Sequence, residues 1–403
     1  MEKRRTIIMG VAGALALALS TSACGSSLKA SGSGDSATTG GGSASGSVKI
    51  GELVALSGAY AVVGKDMRNG FGLYLEQHGN KLGGHKVDLD VVDEGSSAQS
   101  GAAGDTRLAQ QDKVDAIVGI VSGPTAAAGR NIFDAAKVPA LLGNTGSVVL
   151  GKDPSPWVWR ASYDNGDPGR LLAAHLAKDA SAGSVYLMGA DYSGGHETMA
   201  GFKQKFPKAR IAGEVYNPPF GQTTDFSPYL SKIKASGAGS VFVFEPGADA
   251  IQFVKQFHQF GLDKTVKLYG AGFLTQGQPT LKAQGAGALG VYNSTRYNWD
   301  IKNSVNEAFV KAYEAKYKTL PTVYAATMYD IAIILDKAIG TIQGDVNRAS
   351  IKKAINDMGS VQGVRGTLSF NKTNTIEQEF YLTQVKKTAD GVRNVIVEKL
   401  GRS

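Results

Sequence analysis

From residue 47 onward, short runs of β-branched and apolar residues alternate with stretches in which apolar side chains recur every three or four positions. The first kind predicts strands, the second amphipathic helices. Residues 47–56 predict a strand, and 64–78 a helix with Met67, Phe71, Tyr74 and Leu75 on one face. Strands follow at 87–92, 116–121 and 138–142, with helices at 98–111 and 125–136 between them. The rhythm restarts after Tyr163, with helices at 166–178, 195–206, 225–235 and 248–260 and strands at 184–188, 211–216, 241–244 and 266–269. In the 248–260 stretch, Ile251, Val254, Phe257 and Phe260 fall on one face. Such alternation predicts an α/β fold, two similar units each with a parallel sheet covered on both faces.

From about residue 303 the pattern turns helical. Ser304 and Glu307 read as a capping box opening a helix to 317, and 323–339 and 347–358 predict two more. Strands return at 366–370, 380–386 and 394–397. The late helices are expected to complete the first unit and the late strands the second. That gives one lobe from 48–163 with 299–358, and another from 164–298 with 359–403. The roughly 356 residues involved exceed what one hydrophobic core usually serves.

The first 47 residues have a different character. Glu2 to Arg5 is a net-positive start, and residues 7–19 are an apolar run too short to span a membrane. This suits the core of a signal peptide covering residues 1–23. Cys24, the only cysteine, follows Ser20, Thr21, Ser22 and Ala23. The setting resembles a bacterial lipobox, with Thr21 where Leu is usual, and implies a lipidated Cys24. Residues 24–47 are then a Gly/Ser-rich linker with an r.m.s. reach of about 26 Å. Two acyl chains give stable anchoring, so the expected location is the cell membrane, lipid-anchored on the extracytoplasmic face. A single cysteine excludes an internal disulfide.

Charge narrows the partners. The whole chain carries +8, and about +6 remains without its first few residues, with lysines and arginines scattered singly. No basic block tracks a phosphate backbone, so nucleic acid is not an expected partner. Gly285, Gly287 and Gly290 match a dinucleotide fingerprint, but a helix precedes them and a strand follows, the reverse of the required order. Gly146 to Asp153 approaches a P-loop, but Asp153 stands where Ser or Thr should be, and Pro154 and Pro156 block the following helix. No cofactor is therefore expected. His78, His85, His175, His196 and His258 lack metal-ligand spacing, and no serine sits in a nucleophile elbow. Nothing argues for an enzyme.

Four loops follow predicted strands, where an open α/β sheet binds ligands. They hold Ser57, Gly58 and Tyr60; Ser122, Gly123 and Thr125; Asn144, Thr145 and Gly146; and Glu245, Pro246, Gly247 and Asp249. Glycine lets backbone N–H groups approach a ligand, and free N–H groups at a helix start favour a carboxylate.

These loops, with Lys49-Ile50-Gly51, Asp115 to Gly119, Trp157 to Arg160, Asp191-Tyr192, Thr224 to Ser227 and Ala325 to Asp330, resemble the leucine/isoleucine/valine-binding branch of the type 1 periplasmic-binding-protein fold of ABC importers. The resemblance spans about residues 48–390. It implies two Rossmann-like lobes joined by three crossovers, closing as a monomer on a small-molecule solute and docking on ABC permease subunits. It implies that Ser122, Gly123, Thr125, Asn144, Thr145 and Gly146 hold a ligand carboxylate. The family often has an aromatic residue just before Gly64; here Val63 stands there, with Tyr60 as a candidate substitute. The amino-acid binders place a Glu after the strand ending near Tyr269 to pair the ligand ammonium; here Gly270 to Phe273 stand instead. Asp164, Glu245 or Asp249 are candidate replacements. Ser57, Tyr192, Phe220, Phe273 and Tyr324 complete the candidate cleft. The expected ligand is a carboxylate with an apolar or aromatic body that lacks an α-ammonium; branched-chain or other amino acids stay open. A ligand-sensing surface lipoprotein that signals to a membrane receptor is the alternative use of the same fold.

Overall fold

The computed structural model describes residues 46–403, apart from Val148 and Phe220. The signal peptide, Cys24 and nearly all of the linker lie outside the described residues, as does Phe220. Among the described residues no helix is long and apolar enough to cross a membrane.

The strands, in chain order, are β1 (Ser47–Val54), β2 (Lys81–Leu82), β3 (His85–Asp93), β4 (Ala116–Gly119), β5 (Ala140–Leu142), β6 (Val158–Arg160), β7 (Val185–Ala190), β8 (Ile211–Asn217), β9 (Ser240–Phe244), β10 (Lys267–Gly270), β11 (Tyr292–Thr295), β12 (Ser360–Gly363), β13 (Gly366–Phe370), β14 (Ile376–Glu377), β15 (Glu379–Thr388) and β16 (Gly391–Arg402). One sheet runs β2-β3-β1-β4-β5-β6 and a second β16-β15-β11-β10-β9-β7-β8. Within each, five strands are parallel, in the order second, first, third, fourth, fifth. The strand order reverses between β1 and β4 in one sheet and between β7 and β9 in the other. Ligands sit outside the carboxyl ends of the strands at such reversals.

The α/β architecture in two lobes is the one the hydrophobic rhythm predicts. The all-apolar run of β4 is wholly buried, as a parallel strand covered on both faces requires. Helix Ala61–Gln77 buries Met67, Phe71, Tyr74 and Leu75. It packs against helix Val323–Gly340, which returns to the first sheet late in the chain. A Cβ on Gly70 would lie 2.0 Å from the Ala325 carbonyl oxygen, so glycine is what lets these two helices approach.

Three local readings need correction. The cap of helix Ser304–Tyr317 is Asn303, one residue before Ser304, and its side chain accepts from the N–H of Asn306 in place of that of Glu307. In helix Gly247–Gln259 the buried face is Ala250, Phe253, Val254 and Phe257, with Ile251 and Phe260 at its edge, a shift of a fraction of a turn. Residues 98–111 are not one α-helix: Ala98–Thr106 is α-helical and Arg107–Gln111 a wider π turn.

The chain passes between the sheets after β6, after β11 and between helix Arg348–Asp357 and β15. Arg365, on the third passage, is fully buried. Its Nε donates to Asp330 at 2.6 Å, its Nη2 to the Ala161 carbonyl at 3.0 Å and its Nη1 to Gln378 at 2.5 Å. Gln378 also donates to the Ser162 carbonyl at 2.6 Å. Residues 161–162, on the first passage, are thus tied to the third.

Asp105 is a separate feature of the first lobe. It is fully buried, and neither carboxyl oxygen has a partner among the described residues. Burial, with a smaller contribution from Glu94, raises its pKa to about 8. In the unfolded chain it titrates near 4. Between those values the folded state holds a proton that the unfolded state has lost, so Asp105 makes stability fall as pH rises from 4 to 8. The Asp105→Asn variant should therefore gain melting temperature over wild type at pH 8 and little or none at pH 4; equal gains at both would contradict the assignment.

Candidate functional site

Between the two lobes lies a small cavity with about 530 Å³ of space unfilled by protein atoms, open solvent included. Its walls come from the carboxyl ends of strands at both reversal points. Helices Gly123–Ala136, Ser193–Lys205 and Gly247–Gln259 begin at it, so three positive helix ends converge.

On the first lobe, the loop after β4 is held in an unusual shape. Ile120 has φ of +62°, rare for a β-branched residue. Glu94, buried, accepts from the N–H groups of Val121 at 2.7 Å and Ser122 at 2.9 Å and so pins the turn. Ser122 caps the helix by accepting from the N–H of Thr125. The Gly123 N–H is left as the free donor of this turn among the described residues. Beside it stands Thr145, buried, whose Oγ1 has no hydrogen-bond partner there. A Cβ on Gly123 would lie 3.4 Å from Thr145 Oγ1 and 3.6 Å from Ser193 Oγ of the other lobe. Gly123, Thr145 and Ser193 thus form a nest of donors closed from both sides, which fits a carboxylate.

The rest of the cavity is aromatic. Tyr192 and Phe244 lie 5.9 Å apart, Phe244 and Phe273 5.8 Å, Phe273 and Tyr163 5.7 Å, and Phe273 stacks on Tyr324 at 6.1 Å. Tyr60 closes the circuit through a hydrogen bond to Tyr192, linking the two lobes. Burial raises the pKa of Tyr60 to about 12 and those of Tyr163, Tyr192 and Tyr324 further, so these phenols are neutral at physiological pH. Among the described residues, none that lines it is Asp, Glu, Lys or Arg.

Of the residues expected from sequence, the structure brings Tyr60, Ser122, Gly123, Asn144, Thr145, Gly146, Tyr192, Phe273 and Tyr324 to this cavity. Four lie elsewhere. Ser57 donates to Asp93 at 2.7 Å on the exposed rim. Thr125 is wholly buried behind Ser122, whose hydroxyl donates to it at 2.7 Å. Asp164 accepts from Arg160 at 3.0 Å and from the N–H of Gly166 at 2.9 Å. Glu245 is buried off the cavity near Asn217 and Asp249, and burial, reinforced by the Asp249 charge, raises its pKa well above the carboxylate range. Neither Asp164 nor Glu245 is placed to pair a ligand ammonium, and Asp249, which accepts from the Gly221 N–H at 2.8 Å, does not line the cavity either. Pro246 and Gly247, of the fourth candidate loop, also line the cavity, as do Tyr163, Asn165, Ser193, Gly194 and Phe244, which the sequence does not single out as contacts.

Residues 47–391 match the model of a family described as "Periplasmic binding protein". The chain belongs to the periplasmic binding protein family. Its fold is the type 1 periplasmic binding protein fold, as the sequence resemblance implied. Among periplasmic binding protein relatives, the Leu/Ile/Val-binding protein homolog 6 of Brucella melitensis is 32% identical over 361 residues, covering 85% of this chain and 89% of that one. A solute-binding protein of an ABC transporter from R. palustris, solved in complex with benzoate, matches with a TM-score of 0.80 and 28% identity, over 88% of this chain and 97% of that one. A second from R. palustris, in complex with 4-hydroxybenzoate, matches at 0.80 and 29%, over 88% and 96%. These relatives are binding proteins.

Proposed function

We propose that this chain is the extracytoplasmic solute-binding subunit of an ABC importer, anchored through Cys24, that closes on an aromatic monocarboxylate of the benzoate class and delivers it to a permease. The lobes that close are 48–163 with 299–358 and 164–298 with 359–403. The observation that carries the reading is the cavity lining: among the described residues it has six aromatic rings, a donor nest at one wall and no acidic side chain. An amino-acid ligand would bury its ammonium without a carboxylate, which is costly. An aromatic acid leaves no such group unpaired, and its ring meets Phe244, Phe273 and Tyr324. The R. palustris relatives solved with benzoate and 4-hydroxybenzoate support the same class.

A thermal-shift panel on the purified chain tests it. A ligand at 100 times its Kd adds about 2.7 kcal/mol of stability, easily read as a raised melting point. Benzoate or 4-hydroxybenzoate should raise it, and leucine, valine and glutamate should not. A panel in which only amino acids act would overturn the reading.

A further inference from the structure

Arg296 follows β11 on the second passage between the lobes and is 3% exposed. Its guanidinium lies 4.4 Å from the centre of the Tyr163 ring and 5.9 Å from that of Phe273, and both rings line the cavity. Its Nε and Nη2 are buried without a hydrogen-bond partner among the described residues. The ionisable groups that bear on it are the phenols of Tyr163 and Tyr324 and a second cation, Arg365. Arg365 has its own counter-ion in Asp330. Burial lowers Arg296 to about 10, which leaves it charged at neutral pH.

A buried cation without a counter-ion is costly, and removing it to a neutral side chain is what an indifferent core would favour. Cation–π contact with two rings offsets part of that cost but does not neutralise the charge. Those rings line a cavity with no charged side chain in its lining among the described residues. The unpaired cation and the uncharged cavity complement each other only when an anion occupies the cavity.

We propose that Arg296 is the counter-charge of the bound solute: screened from it by the Tyr163 and Phe273 rings, its guanidinium sets the preference for an anion over a neutral molecule of the same shape. It acts as a specificity-determining residue without touching the ligand. The proposal rests on the reading of an aromatic carboxylate as solute. A charge one ring away acts over roughly 8 Å, which at an effective dielectric near 20 favours the anion by about tenfold to thirtyfold in Kd.

Calorimetry with benzoate and with benzamide, its neutral isostere, tests this in the wild type, Arg296→Gln and Arg296→Lys. The wild type should prefer benzoate. Arg296→Gln should lose about tenfold or more for benzoate while benzamide stays within about twofold, and Arg296→Lys should keep most of the preference. Arg296→Met supplies the same neutral test if the Gln variant does not fold. Equal weakening of both ligands, or an unchanged preference in the Gln variant, would overturn the role of Arg296 and leave the solute reading standing. A wild type that binds benzoate no better than benzamide would overturn both.

Discussion

Replacing Asp330 with Asn should lower the unfolding free energy by about 3–5 kcal/mol, the largest single effect on stability expected outside the apolar core. Asp330 and Arg365 are both fully buried, 2.6 Å apart. The second carboxylate oxygen accepts from the Val364 N–H at 2.6 Å. Without the aspartate charge, the guanidinium is left buried and uncompensated. The same guanidinium holds the Ala161 carbonyl and Gln378, so the loss should spread to the first and third passages between the lobes. Denaturant unfolding of the variant checks the size of the effect. A change below about 1 kcal/mol would mean that the pair contributes little and that packing alone holds these passages.

The second large effect is on binding. Thr145→Val keeps the shape of the side chain and removes its hydroxyl. That hydroxyl has no partner among the described residues, so the variant should be as stable as the wild type or slightly more so. A hydrogen bond to a carboxylate contributes about 1.5–3 kcal/mol, so the Kd for benzoate should rise tenfold to a hundredfold. Calorimetry measures the affinity and thermal melting the stability. A Thr145→Val protein that melts early and binds normally would assign Thr145 to packing and remove the donor nest from the account.

Much of this site was legible because strand ends and the loops after them can be read from apolar runs bounded by Gly, Ser and Thr. The Ser122–Gly123 and Asn144–Gly146 loops were located that way, and both line the cavity. Two of the acids expected from sequence, Asp164 and Glu245, miss the cavity in the same way. Asp164 sits between Tyr163 and Asn165, and Glu245 between Phe244 and Pro246. In both stretches the flanking residues line the cavity and the acid does not: Asp164 bonds to Arg160, and Glu245 lies near Asn217. A search for a charge to replace the missing Glu points to the acids, whereas their sequence neighbours are the residues that line the cavity. The ring of Phe244, adjacent to the acid, was the stronger signal for an aromatic ligand. Arg296 gave no signal in sequence, because its isolation from any carboxylate is a property of the folded chain. The Asn303 cap was missed for a smaller reason: Asn and Ser at adjacent positions are both good caps, and only backbone geometry chooses between them.

The central claim is that the cavity takes a carboxylate without an ammonium beside it. Calorimetric titration of the purified chain with benzoate, leucine and valine tests it most directly. The account predicts saturable heat with benzoate and none with either amino acid. Tight binding of leucine or valine, with no heat from benzoate, would contradict it.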